Sequence, residues 1–293
     1  MMKRIKMKTL KTQIREHLLK QTERARKDKD SFWCTENELN QFDIYHRFKG
    51  TNSTNPMTAE TAFGLGMRKK LEEAVIDIFD DMGILIKPEY GQHRIDMKRC
   101  GVKVTGYMDA IIKEENKKVP VEIKTSFGYY QKKELLKGNP RLSYLKQLAQ
   151  YMDFMNASKG YLFQVHFEKD LIVDDIYQFT LIKNESKFKC GYIEFDLDDT
   201  YKRYKRIYEE YILPDIEPPS EFIYKYPLEE IDWKTLSANQ ISKARNNKAV
   251  IGSWQCLYSD YKNLIIEKEG TILGYSDKEI AYIKEKTKGY SNW

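Results

Sequence analysis

The sequence predicts an α/β fold in which helices flank a central mixed sheet, with helical extensions at both ends. Short stretches rich in Val, Ile and Tyr, separated by polar turns, predict the strands. Stretches with apolar residues at a spacing of three and four predict the helices. At 293 residues the chain is long enough to bury a large core.

Residues 1–57 are predicted to be a helical extension that ends near a Ser-, Thr- and Asn-rich loop at Gly50–Asn55. A long helix is expected from Thr58 to Met82, and a first strand within Ile84–Arg94. Residues 1–29 carry eleven Lys and Arg against three acidic residues. This basic segment is either a helix that lies on DNA phosphates or an ordinary solvated helix with a basic face.

A β-hairpin is predicted next, with one strand in Val102–Lys113 and a second in Val119–Thr125. Side chains alternate between the two faces of a strand, so Glu122 and Lys124 point the same way. Asp109, on the neighbouring strand, can reach the same face. The hairpin therefore places two carboxylates and an ammonium group close together.

These three residue types suit metal-assisted phosphodiester chemistry. Mg²⁺ and Mn²⁺ prefer oxygen ligands, so Asp109 and Glu122 could hold such an ion beside a phosphate. Lys124 could then steady the attacking hydroxide or the charge that develops on phosphorus. The alternative is an exposed hairpin with a solvated charged face.

A helix is predicted around Tyr144–Phe154. Gln147 and Tyr151 share one face of this helix because they are one turn apart. The apolar positions form a separate stripe that should pack on the sheet, namely Leu148, Met152 and Met155.

The rest of the chain is predicted to complete the core and then to form a C-terminal extension. Three strands and a helix are expected, at Gly160–Phe167, Ile176–Lys183, Tyr192–Phe195 and Asp199–Leu213. Pro214 and the Pro218-Pro219 pair then mark a linker. The predicted parts are a helical extension, an α/β core and a mostly helical C-terminal extension that packs back on the core, at 1–57, 58–213 and 214–293.

Basic and aromatic side chains alternate from Tyr201 to Tyr208. Such alternation can stack bases and pair with phosphates in a channel for single strands. A helix with a buried tyrosine stripe gives the same pattern and is the interpretation we favour.

Three motifs in order resemble those of RecB-type nucleases in the PD-(D/E)xK superfamily: Gly106-x-x-Asp109, Glu122-x-Lys124 and Gln147-x-x-x-Tyr151. This group includes the nuclease domains of RecB and AddB and the CRISPR adaptation nucleases of RecB type. The resemblance covers roughly residues 58–183. It implies a core like that of restriction endonucleases.

The resemblance also implies a role for each matched residue. Asp109 and Glu122 would be metal ligands, and the main-chain carbonyl of Ile123 would be a third oxygen. Lys124 would be the catalytic lysine. The implied cofactor is Mg²⁺ or Mn²⁺.

The resemblance also extends to two helices, one of which departs from the family pattern. Gln147 and Tyr151 would either contact the DNA backbone near the scissile phosphate or brace the site. Many relatives carry a histidine where this chain has Arg68, and Arg cannot act as a neutral metal ligand. Other members use a helix glutamate, and Glu72 shares a face with Arg68, with Glu73 as its neighbour. We expect Glu72 to be a further ligand; a solvated helix charge is the alternative.

The cysteines resemble the remains of an iron–sulfur staple seen in several RecB-type nucleases. Cys34 matches the upstream cysteine and Cys256 a downstream one, and Ser259 stands where another would be. A cluster normally needs four thiolates, so we expect no cluster to be present. Cys100 and Cys190 are expected to be buried and inert.

The residues and the resemblance together predict a metal-dependent DNA nuclease. The resemblance implies that it is an exonuclease acting on single-stranded or duplex ends in DNA repair or recombination. The alternatives are a structure-selective endonuclease of resolvase or restriction type, and an inactive DNA-binding or scaffold protein. We expect an intracellular protein, in the cytoplasm of its cell or, if viral, of its host, with no membrane contact. A homo-oligomer or a recombination or replication partner protein is left open.

Overall fold

A computed structural model describes residues 9–22, 28–167 and 176–289. Within these ranges the helices, in chain order, are α1 (Leu10–Thr22), α2 (Gln41–Phe48), α3 (Ala59–Asp81), α4 (Tyr129–Leu136), α5 (Leu142–Met155), α6 (Leu197–Ile207), α7 (Ala238–Arg245), α8 (Trp254–Leu257), α9 (Lys262–Lys268) and α10 (Asp277–Lys286). The strands are β1 (Phe32–Trp33), β2 (His93–Arg99), β3 (Val102–Met108), β4 (Ala110–Glu114), β5 (Lys117–Phe127), β6 (Lys159–Phe167), β7 (Ile176–Asn184), β8 (Lys187–Cys190) and β9 (Ile193–Asp196).

The described residues form two compact units, each built from discontinuous segments. The first contains the described residues within 9–22, 30–38 and 57–216, and the second those within 28–29, 39–56 and 217–289. The expected boundaries at 57/58 and 213/214 stay a prediction.

The first unit has two sheets. One has three strands in the order β1-β3-β2, and the other has six in the order β4-β5-β6-β7-β8-β9. β5 and β6 are parallel, whereas the other neighbours in the larger sheet are antiparallel. α4 and α5 lie between β5 and β6 in the chain, as a parallel pair requires.

Helices cover both faces of the larger sheet. On one face, Val75 and Phe79 of α3 pack with Val121 and Ile123 of β5. On the other face, the apolar stripe of α5 lies against β6: a Cβ at Gly160 would come within 2.9 Å of the Met152 sulfur. The predicted fold class, α/β with a mixed sheet flanked by helices, is therefore confirmed.

The second unit has its own core, made by residues of α2, α7, α8, α9, α10 and the intervening loops. Its fully buried members include Phe42, Ala244, Cys256, Tyr261 and Ile283. Residues 39–56 thus belong with the C-terminal segment in one unit. None of the described helices combines the length and the apolar character that crossing a membrane requires.

The structure corrects several predicted elements. The expected strand Val102–Lys113 is two strands in two different sheets, separated at Asp109. In Ile84–Arg94 only Leu85 pairs before β2 begins at His93, in an isolated bridge with Ile112. Pro88 and Gly91, which has φ of +58°, interrupt that stretch. Helix α4 and strand β8 were not predicted.

The tyrosine-rich helix belongs to the core of the first unit. Tyr201 and Tyr204 of α6 are buried, and the Tyr204 ring stacks on Phe32 with ring centroids 4.5 Å apart. The Tyr201 hydroxyl donates to Asp153 at 3.1 Å. The interpretation as a buried tyrosine stripe is therefore correct for these two residues. Much of the basic segment 1–29 lies outside the described residues, and α1 is its described helix.

Candidate metal centre

The break between the two sheets places Asp109 beside β5. β3 ends at Met108 and β4 begins at Ala110, so Asp109 belongs to neither strand. Its Oδ2 accepts a hydrogen bond of 2.7 Å from the main-chain N–H of Ile123. The side chain thus takes a main-chain donor of the central strand and is fixed in position by it.

Glu122 lies in the centre of β5 with no exposure to solvent. Neither of its carboxylate oxygens has a hydrogen-bond partner of normal geometry, although the Lys124 ammonium forms an ion pair with Oε1. Burial, and then the negative charge of Asp109, raise the pKa of Glu122 to about 8. Isolated buried carboxylate oxygens are costly, so the native fold keeps this group for a reason other than packing.

Lys124 provides the positive charge next to both acids. Burial acts to lower the pKa of Lys124, but the charges of Glu122 and Asp109 outweigh it and raise the pKa above its ordinary value. Its side chain is 22% exposed, and Nζ lies 5.6 Å from the centre of the Tyr144 ring. Lys124 is therefore a cation at neutral pH with its head at the edge of the site.

The structure thus brings the three residues of the sequence motif together on one side of β5. Asp109 bonds to β5 itself, and its charge acts on both Glu122 and Lys124. Asp109 and Lys124 also line a cavity of about 620 Å³ between β5 and α3. A substrate phosphate could enter by this cavity.

Helix α3 forms the opposite wall of the cavity, and it carries both candidate glutamates. Burial, and then the charge of Asp109, raise the pKa of Glu72. Glu73 forms an ion pair of 2.6 Å with Lys70, whose hydrogen bond lowers the pKa of Glu73. Of the two, Glu72 shares the electrostatic environment of the acids. Its role as a ligand stays a prediction, as does that of the Ile123 carbonyl.

Gln147 and Tyr151 lie behind Glu122 and are both buried. The Gln147 amide donates to the Tyr151 hydroxyl, which donates to the main-chain carbonyl of Tyr107 at 2.9 Å. This chain joins α5 to the strand that leads to Asp109. In this conformation the pair braces the site, and the burial of Tyr151 leaves its hydroxyl inaccessible to a DNA phosphate.

Gly106 permits a close approach at the back of the site. A Cβ there would lie 3.1 Å from Cys34 Sγ and 3.8 Å from the Tyr151 ring. Cys34 is buried, and its carbonyl accepts hydrogen bonds from Asn37 and Gln150. Burial, and then the charge of Glu122, raise the pKa of the Cys34 thiol, which is therefore protonated at neutral pH.

The other three cysteines differ in their burial. Cys256 belongs to the second unit, lies 3.7 Å from the Ser220 hydroxyl, and has its pKa raised to about 11 by burial. Cys190 is buried as expected. Cys100 is exposed, so the expectation that it is buried is wrong: it lies in the tight β2–β3 turn with φ of +49°. The absence of an iron–sulfur cluster stays a prediction.

The sequence analysis missed one neighbour of the site, Tyr144, and one contact made by Arg68. Tyr144 faces Lys124 and, at 5.7 Å, the Arg141 guanidinium. Its spacing to Gln147 and Tyr151 puts all three on one helix face, which was a usable signal. The Arg68 guanidinium lies 5.1 Å from the centre of the Phe127 ring, a contact between distant segments that no local pattern reveals.

The donor set fits a magnesium or manganese ion. Asp109 has one oxygen outside its main-chain hydrogen bond, and Glu122 has two oxygens without a normal partner. Among the described residues, no group of three His, Cys, Asp or Glu side chains lies close enough to share a metal ion. Mg²⁺ is typically held by one or two carboxylates, with water and substrate phosphate completing the shell, so a pair of acids suffices.

No protein-family model matches the sequence, and no curated protein matches it. Among solved structures, the crystal structure of SSO0001 is similar with a TM-score of 0.45 and 16% identity, over 72% of this chain and 89% of that chain. An alkaline exonuclease (LHK-Exo) from Laribacter hongkongensis is similar with a TM-score of 0.40 and 14% identity, over 67% and 91%. The same enzyme in complex with dAMP has a TM-score of 0.38 at 14% identity, over 69% and 91%. These likenesses are too weak to define an activity.

Proposed function

We propose that the chain is a metal-dependent DNA nuclease, an exonuclease that hydrolyses phosphodiester bonds at DNA ends. The observation that carries the proposal is the fully buried carboxyl group of Glu122 beside Asp109: its Oε1 is paired with the Lys124 ammonium, and its Oε2 has no hydrogen-bond partner. A carboxylate in this state is expected where a divalent cation supplies the missing partner. The resemblance of the three motifs to RecB-type PD-(D/E)xK nucleases supports the same conclusion.

Asp109 and Glu122 would hold the ion, with the Ile123 carbonyl as a further candidate ligand; Glu72, on the opposite wall of the cavity, would have to move to join them. When bound, Mg²⁺ or Mn²⁺ supplies Lewis acidity toward the phosphate and lowers the pKa of water. Lys124, a cation at the edge of the cavity, would pair with the phosphate oxygen that gains charge as water attacks phosphorus. Hydrolysis forms one P–O bond to that water and breaks the P–O bond to the leaving oxygen.

The rest of the site positions these groups. The Ile123 N–H holds Asp109 against β5 by a hydrogen bond. The Tyr151 hydroxyl of α5 donates to the carbonyl of Tyr107, two residues before Asp109. Because Gln147 holds the Tyr151 hydroxyl, it acts on the acids through Tyr151 and contacts neither of them in the described geometry. Gln147 is therefore a positioning residue in this proposal.

The test is incubation with end-labelled linear DNA in Mn²⁺ or in EDTA. Asp109→Ala, Glu122→Ala and Lys124→Ala should each abolish Mn²⁺-dependent cleavage while the circular dichroism spectrum stays native. Glu114→Ala is the matched control, because Glu114 lies at the far end of the same hairpin and bonds to Tyr161 at 3.0 Å.

Full cleavage by any of the three purified site variants would contradict the assignment. Cleavage of a covalently closed circle would replace the exonuclease with a structure-selective endonuclease using the same residues. No cleavage of any DNA by the unaltered protein, together with retained DNA binding, would favour the inactive scaffold.

A further inference from the structure

Aromatic side chains accumulate on the surface directly after the lysine of the candidate site. Phe127, Tyr129 and Tyr130 are 42%, 78% and 72% exposed. Single exposed apolar residues are ordinary, but neighbouring exposed rings in one short segment are not, because each leaves a large apolar area in water. We call this group of three rings the aromatic platform; the Phe127 ring also lies 5.8 Å from the Phe167 ring, between centroids.

The backbone around the platform presents the rings outward. β5 ends at Phe127, and Gly128 with φ of +89° turns the chain into helix α4. Leu135 is the buried residue that anchors this helix, whereas Tyr129 and Tyr130 in its first turn stay exposed. The rings are thus held by a strand and an anchored helix, which limits the conformational entropy lost when a ligand stacks on them.

A positive charge lies beside one of these rings, that of Phe127, and belongs to a residue that also lines the cavity of the candidate site. The Arg68 guanidinium lies 5.1 Å from the Phe127 ring centre, and Arg68 lines the same cavity as Asp109 and Lys124. Tyr144 lines the same cavity, and the Arg141 guanidinium lies 5.7 Å from its ring centre. The cations can pair with successive phosphates of a strand while the rings face its bases.

This combination selects unpaired nucleotides. In a duplex, the faces of the bases are covered by their neighbours, so rings on a protein surface cannot stack on them. In a single strand each base has an available face, and cationic and aromatic side chains together are the usual means of binding it. A protein partner would not require cations that continue into a site for phosphate chemistry.

We infer that Tyr129 and Tyr130 stack on unpaired bases of the strand that enters the Asp109–Glu122 site, so that single-stranded DNA or a frayed end is the form bound. This inference rests on the proposed nuclease function and narrows its substrate. Each stacked base should contribute about 5- to 150-fold in affinity, the range that alanine substitution of stacking rings gives.

The experiment measures binding in EDTA, where cleavage does not occur, by fluorescence anisotropy. The probes are a labelled oligo-dT, a strand of equal length made of abasic sites, and a blunt duplex. Tyr129→Ala with Tyr130→Ala should weaken oligo-dT binding at least tenfold and change abasic-strand binding little. Tyr129→Phe with Tyr130→Phe should restore it, because the rings are retained. Tyr258→Ala, which removes an equally exposed ring of the second unit, should have no effect.

Equal loss of affinity for oligo-dT and the abasic strand would overturn the inference, because it would show that the rings do not contact bases. Unchanged binding in the double alanine variant would overturn it as well, and so would self-association of the unaltered protein that this variant abolishes. Failure of the nuclease proposal is seen separately, as absence of Mn²⁺-dependent cleavage by the unaltered protein whatever the binding results.

Discussion

Glu122→Gln should make the metal-free protein more stable at alkaline pH. In the unfolded chain a glutamate has a pKa near 4.5, whereas burial and the charge of Asp109 raise the pKa of Glu122 to about 8 in the fold. The native state therefore holds a proton that the unfolded state releases. Stability from this group is complete below pH 4.5 and is lost as the pH rises through about 8.

The gap between about 8 and 4.5 corresponds to roughly 5 kcal/mol at full ionisation. At pH 7 most of that loss of stability has already occurred. We therefore expect ionisation of Glu122 to have lowered the free energy of unfolding by about 3 kcal/mol, which corresponds to roughly 10 °C in the melting temperature. The glutamine is close in shape to a protonated glutamate and does not titrate. It should therefore remove this part of the pH dependence.

The assay is thermal unfolding in EDTA from pH 5 to pH 8.5, followed by circular dichroism. The unaltered protein should lose stability across this range, and Glu122→Gln should lose much less. Glu114→Gln is the control, since Glu114 is a surface carboxylate whose pKa is lowered by Lys159. Parallel pH profiles for the unaltered protein and Glu122→Gln would refute the reasoning. Added Mg²⁺ should stabilise the unaltered protein more at pH 8.5 than at pH 5.5, because an ion and a proton compete for one carboxylate.

Three further outcomes are expected. Gln147→Ala should lower the rate of Mn²⁺-dependent cleavage by about 10- to 100-fold without abolishing it, because the substitution frees Tyr151 but removes no candidate ligand. A total loss of cleavage would give Gln147 a larger role. Gly106→Ala should lower the free energy of unfolding in urea by about 1–3 kcal/mol through contact with Cys34 Sγ, and adding Cys34→Ala to that variant should recover part of the loss. Equal stability of the single and the double variant would contradict this contact. Gly160→Ala should also destabilise by about 1–3 kcal/mol, because Met152 and Leu148 must move; an unchanged urea midpoint would show that α5 yields freely.

The sequence predicted the parts of this fold that follow from local periodicity. The apolar spacing in Leu142–Met155, the β-branched run around Val121 and the aromatic and aliphatic run around Leu162 reflect burial, which dominates element type in the core. It also predicted that Glu122 and Lys124 share a face, since that depends only on strand alternation.

The features that the sequence did not predict depend mainly on contacts between distant segments. The strand break at Asp109 arises because its side chain, unlike those around it, bonds to a main-chain donor of β5. The exposure of Cys100 follows from the positive φ of a tight turn, which its own residue type does not indicate. Helix α4 escaped detection because its first turn carries exposed rings where an amphipathic pattern would place polar residues.

The hydrogen bond between Asp109 and the Ile123 amide has a consequence for ion discrimination. With one lone pair of Oδ2 committed to the main chain, Oδ1 is the Asp109 oxygen that a cation can take without competing with that bond. Calcium favours larger shells in which carboxylates often chelate through both oxygens, whereas magnesium accepts single-oxygen ligation in a small octahedral shell. One amide hydrogen of a central strand thereby biases the denticity of the candidate centre toward the smaller ion.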